Sequence, residues 1–328
     1  MRLSSALLMT VLMGLAAGCQ NEQSVLQPHG PQAIQIAHLA WVLIAICVIV
    51  LAVVLVTLWL AVRGSTRVRA RLAEHSTVIV AGIVFPAITL TGLLSYSVWL
   101  MQAEPPGFSG EDVLRIEVVG EQWWWRVAYI AADGSVASAN EIRIPVGRTV
   151  EFALKSADVI HSFWVPSLGG KMDMIPGRTT GLRLAAARPG VYRGQCAEYC
   201  GGPHALMALP IVAMPAAEHA SWLTREAGPA REPANETEQR GKSIFLAAGC
   251  GGCHAIRGTE AHATIGPDLT WIGARRSVAL DTLPLTAANL ERFLLHGQSV
   301  KPGNTMPEFR VLSQADREAL VTYLLSLR

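Results

Sequence analysis

One short stretch of the chain, residues 194–207, holds two thiols, an imidazole and a thioether. Its spacing is Cys-x3-Cys-x3-His-x2-Met, with Cys196, Cys200, His204 and Met207 as the potential ligands. Copper prefers soft sulfur and imidazole ligands, and one thiolate with histidine and methionine is enough for a mononuclear electron-transfer site. A second cysteine four residues on would let two sulfurs bridge two copper ions. The stretch therefore predicts a redox-active copper site.

A dinuclear site needs one more imidazole, and His161 in the segment DVIHSFWVP supplies it. The alternative for Cys196 and Cys200 is a disulfide, which an oxidising compartment would permit. A disulfide would leave His161, His204 and Met207 without a role. The sequence therefore favours copper over a disulfide.

A second constellation lies near the C-terminus, where CGGCH forms the Cys-x-x-Cys-His signature of haem attachment. Cys250 and Cys253 would add to the two haem vinyl groups, and His254 would become the proximal iron ligand. A thioredoxin-like pair is the alternative, but such a pair requires no adjacent histidine and no second ligand. The segment NTMPEF resembles the loop that carries the axial methionine of class I cytochromes c. That resemblance implies Met306, and histidine–methionine ligation suits electron transfer.

The segments around the predicted copper ligands resemble a known family. DVIHSFWVPSLGGKMDMIPGR and GQCAEYCGGPHALM are similar to the dinuclear copper (CuA) domain of cytochrome c oxidase subunit II. The resemblance implies a full set of copper ligands: His161, Cys196, Cys200, His204, Met207 and the backbone carbonyl of Glu198. It also implies that the Glu198 side chain points away from copper, toward a magnesium ion shared with the catalytic subunit.

Three adjacent tryptophans, Trp123, Trp124 and Trp125, stand within this similar region. They cannot all face one side of a strand, because neighbouring side chains alternate. The resemblance makes Trp123 the residue that receives electrons, lying over the copper site. The alternative is that all three pack against the membrane-facing subunit, and packing is what we expect for Trp124 and Trp125.

The composition places the chain at a membrane and away from nucleic acids. Its 328 residues are enough for two or three domains. A hydrophobic content of 51% and a mean hydropathy of +0.34 are high for a soluble protein. Lys+Arg 27 against Asp+Glu 25 leaves the charge nearly balanced, so nothing favours nucleic-acid binding.

Residues 1–19 have the pattern of a secretory signal peptide. Arg2 provides a positive start, an apolar run follows, and small residues precede Cys19. The sequence Ala-Ala-Gly-Cys resembles a bacterial lipobox. Either Cys19 becomes the lipidated mature N-terminus, or ordinary cleavage occurs nearby without a lipid.

Two long apolar runs, residues 34–62 and 77–101, follow the signal. Each exceeds the ~20 residues that a helix needs to cross a bilayer. The segment between them carries Arg63, Arg67, Arg69 and Arg71. By the positive-inside rule this segment is cytoplasmic, so everything after the second span lies outside. We expect a two-helix transmembrane hairpin over residues 34–103.

The family usually shows a Glu and a Trp-Thr pair before the proline of the second span, where the proton pathway of the oxidase begins. Here the segment before Pro86 contains TVIVAG instead. The resemblance therefore does not carry a proton-input role over to this chain.

The remaining sequence predicts two further domains. Short alternating segments such as LRIEV and EIRI, separated by Gly and Pro turns, predict an all-β sandwich over residues 104–223, and the resemblance implies a cupredoxin barrel. Residues 224–235 are rich in Ala, Pro and Glu and predict a semi-rigid linker. Residues 236–328 predict an all-α cytochrome c domain, whose last helix begins after Ser313.

These features together predict a two-pass electron conduit in a bacterial inner membrane, with both redox domains on the periplasmic side. Electrons would pass from covalent haem c through Trp123 to the copper pair, and then to a catalytic subunit that reduces oxygen to water with proton translocation. The resemblance implies as partners subunit I, subunit III, and a donor such as a cytochrome c or a quinol:cytochrome c reductase. Two alternatives stay open: a CuA/haem c subunit of a nitric-oxide reductase, and a membrane-anchored electron carrier.

Overall fold

The computed structural model describes residues 23–102, 113–131 and 134–328. The expected signal peptide, residues 1–19 with Cys19, lies outside the described residues. The chain divides into two compact units, one of residues 34–106 and one of the residues on either side.

The first unit is helical. It contains α1 (Pro31–Arg63, which begins just before the unit), α2 (Thr66–Leu72), α3 (His75–Ile79), a π-helical turn (Val80–Val84) and α4 (Phe85–Gln102). The two membrane-length segments, Pro31–Arg63 and His75–Gln102, have hydropathies of 3.4 and 2.2, and the most apolar stretch of each buries no residue within the chain. A helix of 33 residues is about 50 Å long, which exceeds the hydrocarbon core of a bilayer.

The π-helical turn has a cause in the sequence. Pro86 has no N–H to donate, and its ring would clash with the carbonyl four residues earlier, at Gly82. The wider turn Val80–Val84 lies directly before it, and the Phe85 N–H reaches back five residues to the Val80 carbonyl. The second apolar segment therefore stays helical through its proline.

The second unit begins with a β domain of two five-stranded sheets. The first sheet has the order β3-β2-β1-β5-β8, and the second has the order β4-β10-β9-β6-β7. The strands are β1 (Leu114–Glu121), β2 (Trp124–Ala131), β3 (Gly134–Ala139), β4 (Ile142–Pro145), β5 (Val150–Ser156), β6 (His161–Trp164), β7 (Met172–Met174), β8 (Thr180–Leu184), β9 (Gly190–Cys196) and β10 (Ala208–Met214).

Alternation along the strands builds one core between the two sheets. In β1 the side chains of Leu114, Ile116 and Val118 are buried and their neighbours are more exposed. Phe152 of the first sheet meets Phe163 of the second with ring centroids 5.0 Å apart. The predicted all-β sandwich is confirmed, because inward apolar residues recur at every second position as in a half-buried strand.

A C-terminal helical domain follows, and it confirms the predicted helical fold. Its helices are α6 (Glu236–Ala247), α7 (Ala287–Val300) and α8 (Gln314–Ser326). The side chains of Asn235, Thr286 and Ser313 cap their three N-termini. Helices α6 and α8 cross closely, since a Cβ at Gly241 would collide with the Ala319 carbonyl.

The segment for which we expect a linker, residues 224–235, begins inside helix α5 (Ala216–Ala227). Trp222 of this helix packs on Tyr129 of the β domain, with ring centroids 5.1 Å apart. Farther on, the Ala230 N–H donates to the Arg257 carbonyl at 2.9 Å. The low hydrophobicity of the segment concealed these contacts, because one tryptophan and a few backbone hydrogen bonds hold it.

The β domain and the helical domain share an arginine-rich interface within the second unit. Arg126 Nη2 donates to the Thr264 carbonyl at 2.6 Å, and Arg143 Nη2 donates to the Ala274 carbonyl at 2.8 Å. Leu280 of the helical domain is buried in the core cluster of the β domain. These contacts bring the haem-attachment region of the sequence beside the β domain.

Candidate functional site

The second sheet brings the predicted copper ligands together at one edge. His161 is the first residue of β6, and Cys196 is the last residue of β9. These strands are adjacent and antiparallel, with Phe163 opposite Cys196. The Cys196 N–H donates to the Met207 carbonyl at 2.9 Å, which closes the loop between them. Cys200 and His204 lie on this closed loop.

The ligand atoms are spaced as they would be around soft metal ions. The sulfurs of Cys196 and Cys200 are 3.8 Å apart, and both cysteines are free. The remaining distances are Cys196 Sγ to His161 Nδ1 3.8 Å, Cys200 Sγ to His204 Nδ1 3.4 Å, Cys200 Sγ to Met207 Sδ 3.8 Å and Cys196 Sγ to the Glu198 carbonyl 3.2 Å. A disulfide would place its sulfurs ~2.05 Å apart. Two thiols, two imidazoles and a thioether at these separations fit copper.

Interactions between the two cysteines shift their pKa values in opposite directions. The hydrogen bond between the Cys196 and Cys200 sulfurs, with a weaker contribution from His161, lowers the pKa of Cys196. The same hydrogen bond raises the pKa of Cys200. Because the thiolate is the form of cysteine that binds a metal, the pair is ready to exchange its shared proton for copper.

An acid in the preceding loop orients one of the two histidines. Asp158 Oδ1 lies 2.8 Å from His161 Nε2, which turns the Nδ1 atom toward Cys196. Such carboxylate–histidine contacts fix the ring of a metal ligand. Asp158 Oδ2 also accepts a hydrogen bond of 2.6 Å from the Gln122 N–H. The same carboxylate therefore fixes the turn that leads into Trp123.

The ring of Trp123 lies against the loop of residues 196–207, which holds the predicted copper ligands and is called the copper loop below. Its Nε1 donates to the Cys200 carbonyl at 3.0 Å. A Cβ added at Gly202 would lie 2.7 Å from the tryptophan ring, so only glycine permits this approach. Trp124 and Trp125 are buried instead, with Trp124 beneath the Arg126 guanidinium. The three tryptophans therefore differ in their surroundings: the Trp123 indole N–H bonds to the Cys200 carbonyl, and the ring of Trp125 lies 6.2 Å from that of His161, centroid to centroid.

A cavity of about 300 Å³ lies beside the haem-attachment motif. Cys250, Cys253, His254 and Met306 line it, and Trp123 reaches it from the β domain. The volume falls in the range of small-molecule and cofactor sites. The predicted thioether and axial positions thus surround one space that fits a haem.

The predicted proximal histidine is held in the state that binds iron. His254 Nδ1 lies 2.7 Å from the Pro267 carbonyl, which places the proton on Nδ1 and leaves Nε2 free. Burial lowers the pKa of His254, so the imidazole is neutral at pH 7. The Met306 N–H donates to Asn304 Oδ1 at 3.0 Å and holds the opposite loop.

Replacing Gly266 by alanine is expected to disturb haem binding, because a Cβ there would lie 2.7 Å from Cε1 of His254. The ring would have to rotate away from its Pro267 contact. We expect the fraction of haem that is low-spin, and therefore six-coordinate, to fall at least tenfold in the absorption spectrum of the purified chain. Contacts that support a metal ligand contribute about 10- to 100-fold to the affinity for the metal. Gly252→Ala is the matched control, since its Cβ would meet nothing within 4 Å. Equal spectra for both variants would contradict the prediction.

The Glu198 side chain leaves the copper loop on its exposed side. Its Oε2 lies 3.7 Å from Lys171 Nζ, which also contacts Asp173 at 3.0 Å. Its carbonyl faces the Cys196 sulfur, as described above. One residue thus presents its backbone to the metal ligands and its carboxylate to the surface.

Sequence reasoning missed two residues of this region, Asp158 and Lys301. Lys301 is 2% exposed, and its Nζ donates to the Trp123 carbonyl at 2.6 Å. Burial lowers the pKa of Lys301 to about 7. The sequence did not indicate this role, because a lysine in a sequence gives no sign of burial by a second domain.

The chain is similar to known proteins in both redox domains. A family described as "Cytochrome C oxidase subunit II, periplasmic domain" matches residues 131–214, and "Cytochrome c" matches residues 238–328. Cytochrome c oxidase subunit 2 of Alkalihalophilus pseudofirmus is 33% identical over 95% of this chain and 93% of its own. The same subunit of Bacillus subtilis is 29% identical over 75% and 72%. The crystal structure of the periplasmic domain of subunit II of the Bradyrhizobium japonicum oxidase is 34% identical and covers 36% of this chain and 96% of its own, with a TM-score of 0.34.

Proposed function

The chain belongs to the cytochrome c oxidase subunit 2 family, and on that premise we propose that it passes electrons from haem c to a dinuclear copper centre and on to the catalytic subunit. Family membership makes it a subunit of a haem-copper oxidase. Its subunit II domain implies CuA copper, and its cytochrome c domain implies haem. What remains to be proposed is which residues hold each cofactor and in which order they act.

We assign the copper pair to the thiols at the edge of the second sheet. Cys196 and Cys200 would bridge both ions, since each sulfur lies within 4 Å of an imidazole of its own. The other ligands in this assignment are His161, His204, Met207 and the carbonyl of Glu198. Bound copper would supply a one-electron site whose charge is shared between two metals. The protein contributes a rigid loop, closed between Cys196 and Met207.

The haem assignment uses the cavity beside the Cys-x-x-Cys-His motif. Cys250 and Cys253 would form the thioether bonds, and His254 and Met306 would be the axial ligands. A neutral, oriented imidazole on one side and a thioether on the other give an electron-transfer potential above that of two nitrogen ligands. Bound haem would supply a one-electron couple.

One observation carries the proposed order of transfer: Trp123 borders both sites. It donates from Nε1 to the carbonyl of Cys200, and it also lines the cavity of His254 and Met306. Of the three tryptophans it is the one whose indole N–H is hydrogen-bonded to the Cys200 carbonyl. We therefore propose Trp123 as the residue through which electrons reach copper.

We further propose the surroundings in which this chain works. The most apolar stretch of each of its two membrane-length segments buries no residue within the chain, so lipid and oxidase subunits I and III would cover these stretches. The arginines after α1 would face the cytoplasm of a bacterial cell, with both redox domains in the periplasm. A cytochrome c or a quinol:cytochrome c reductase would supply electrons. The Glu198 carboxylate would bind magnesium at the interface with subunit I, the subunit that would couple oxygen reduction to proton translocation.

The proposed domain limits follow the same assignment. They are a signal peptide at 1–19, a transmembrane hairpin at 34–103, a CuA domain at 104–223, a linker at 224–235 and a cytochrome c domain at 236–328. Helix α5 crosses the limit between the CuA domain and the linker and packs on the CuA domain through Trp222.

The test of the proposed function is a substrate comparison on the intact complex. The chain would be purified by an affinity tag from the membrane with its large subunit, which is then identified by mass spectrometry. With a reduced cytochrome as donor, we expect oxygen consumption that depends on this chain. Reduction of nitric oxide without oxygen consumption would point instead to a nitric-oxide reductase. A chain that purifies without any large subunit would favour a free electron carrier.

A further inference from the structure

A continuous line of hydrogen bonds joins the copper loop to residues 297–307, the loop that carries the proposed haem ligand Met306 (the Met306 loop). Trp123 Nε1 donates to the Cys200 carbonyl at 3.0 Å, and Lys301 Nζ donates to the Trp123 carbonyl at 2.6 Å. On the far side, Asn304 Nδ2 donates to the Lys301 carbonyl at 2.8 Å. The Met306 N–H then donates to Asn304 Oδ1 at 3.0 Å. Lys301 is the residue at which this line crosses from one domain to the other.

Lys301 is an unusual residue at this crossing because it is buried to 2% exposure. Its recorded side-chain hydrogen bond is the one to the Trp123 carbonyl, and among the described residues no carboxylate lies within ion-pair distance of it. A buried lysine without a counter-charge costs stability. Its presence here therefore indicates a role in holding the two domains in position.

The two loops also touch through residues that lack bulky side chains. A Cβ at Gly303 would lie 3.4 Å from Pro203 of the copper loop, and Gly303 has a φ of +86°, which favours glycine. On the same side, Gly202 admits the ring of Trp123. The copper loop and the Met306 loop therefore meet at van der Waals distance beside the Lys301 hydrogen bond.

We propose that Lys301 is a positioning residue for electron transfer between the two cofactor sites. It holds the Met306 loop on Trp123, so that both sites keep one fixed separation. This inference rests on the proposed function. In the step it serves, one electron leaves the ferrous haem and one electron reduces the copper centre. Lys301 itself gains and loses nothing, and no covalent bond changes.

The competing explanation is that Lys301 is one of many contacts that hold the domains together. The chain offers a matched control for it. Asp281 Oδ2 lies 3.3 Å from Arg193 Nε across the same domain interface, with about a third of each side chain exposed. Asp281 has a φ of +61°, which asparagine tolerates well, so Asp281→Asn removes an interdomain ion pair with little backbone strain. This contact lies outside the line of hydrogen bonds.

The test uses Lys301→Met in the full-length chain within the purified oxidase complex. Methionine keeps the length and removes the buried charge, so the fold should be retained. Two readouts are needed. Hydrogen–deuterium exchange measures the protection of residues 297–307, and flash photolysis measures the rate of haem oxidation and copper reduction. Asn304→Ala, which breaks the next link and keeps the lysine, is the second variant.

We expect faster exchange in the Met306 loop of Lys301→Met and a transfer rate lowered by about tenfold or more, the factor that one charge-assisted hydrogen bond contributes to an equilibrium. Asn304→Ala should change both readouts in the same direction. The haem and copper spectra of Lys301→Met should stay as in the wild type, because Lys301 is not a ligand in our assignment. Asp281→Asn should leave the transfer rate within about twofold of wild type, as expected for an exposed ion pair.

Two results would overturn the inference: an unchanged transfer rate in Lys301→Met, or an equal loss of rate in Asp281→Asn. Either would reduce Lys301 to a general interface contact. Failure of the proposed function would look different, because the wild-type haem and copper would then exchange no electrons. In that case hydrogen–deuterium exchange alone decides whether Lys301 holds the Met306 loop. Wild-type protection of residues 297–307 in Lys301→Met would show that it does not.

Discussion

Replacing Cys200 by serine is expected to abolish the dinuclear copper centre and to leave the haem c absorbance intact. Cys200 Sγ has the Cys196 sulfur, His204 Nδ1 and Met207 Sδ all within 3.8 Å. A serine oxygen is a hard ligand that does not bridge copper as a thiolate does. Loss of a ligand should exceed the ~10- to 100-fold loss of affinity caused by removing its supporting contacts. The haem should remain because its ligands lie in the separate helical domain.

Copper content per chain and electron-spin resonance of the purified complex measure this effect. The wild type should show an unpaired electron shared between two coppers, and Cys200→Ser should lack this signal. Cys47→Ser is the matched control, because Cys47 lies on α1, outside the β domain. An unchanged copper content and an unchanged spectrum in Cys200→Ser would rule out the bridging role.

Replacing Met306 by histidine is expected to lower the haem potential while the haem stays attached. Cys250 and Cys253 would still hold the porphyrin, and His254 would keep its contact with Pro267. Exchange of a thioether for an imidazole lowers the potential of a haem. We expect a shift on the order of 0.1 V or more, within the ~0.8 V that axial ligands span.

A redox titration followed by haem absorbance measures this shift. Val311→His is the control, because that side chain is 93% exposed and its imidazole would stay in solvent. Turnover with the natural donor should slow in Met306→His, and a small artificial donor that reduces copper directly should still drive it. The same potential in Met306→His and the wild type would show that Met306 is not an axial ligand.

Local spacing explains how much of the site the sequence predicts. Cys196, Cys200, His204 and Met207 lie on one loop, so their approach needs only a turn that closes between two paired strands. The haem motif is local for the same reason. His161 lies on another strand, and its place beside Cys196 depends on the pairing of β6 with β9. The sequence indicated it as the further imidazole that a dinuclear site needs, and through the family resemblance, but not through spacing.

Contacts between the domains are what the sequence does not predict. Lys301 and Trp123 are far apart in the chain, and a lysine has no local pattern that marks it for burial. The contacts of residues 224–235, for which we expect a linker, are unpredicted for the same reason. The composition of this segment indicates little core-forming ability, yet Trp222 packs on the β domain just before it and the Ala230 backbone bonds to Arg257. Composition cannot reveal such contacts, because they depend on the surface of another domain.

The most direct test of the central claim follows one electron between the two sites in the wild-type complex. A laser flash delivers an electron to haem c, and the absorbances of haem and copper are recorded together. If Trp123 and the Lys301 contact link the sites as proposed, haem oxidation and copper reduction will share one rate constant, independent of protein concentration. Copper that is reduced while the haem keeps its electron, or a rate that rises with protein concentration, would contradict the account.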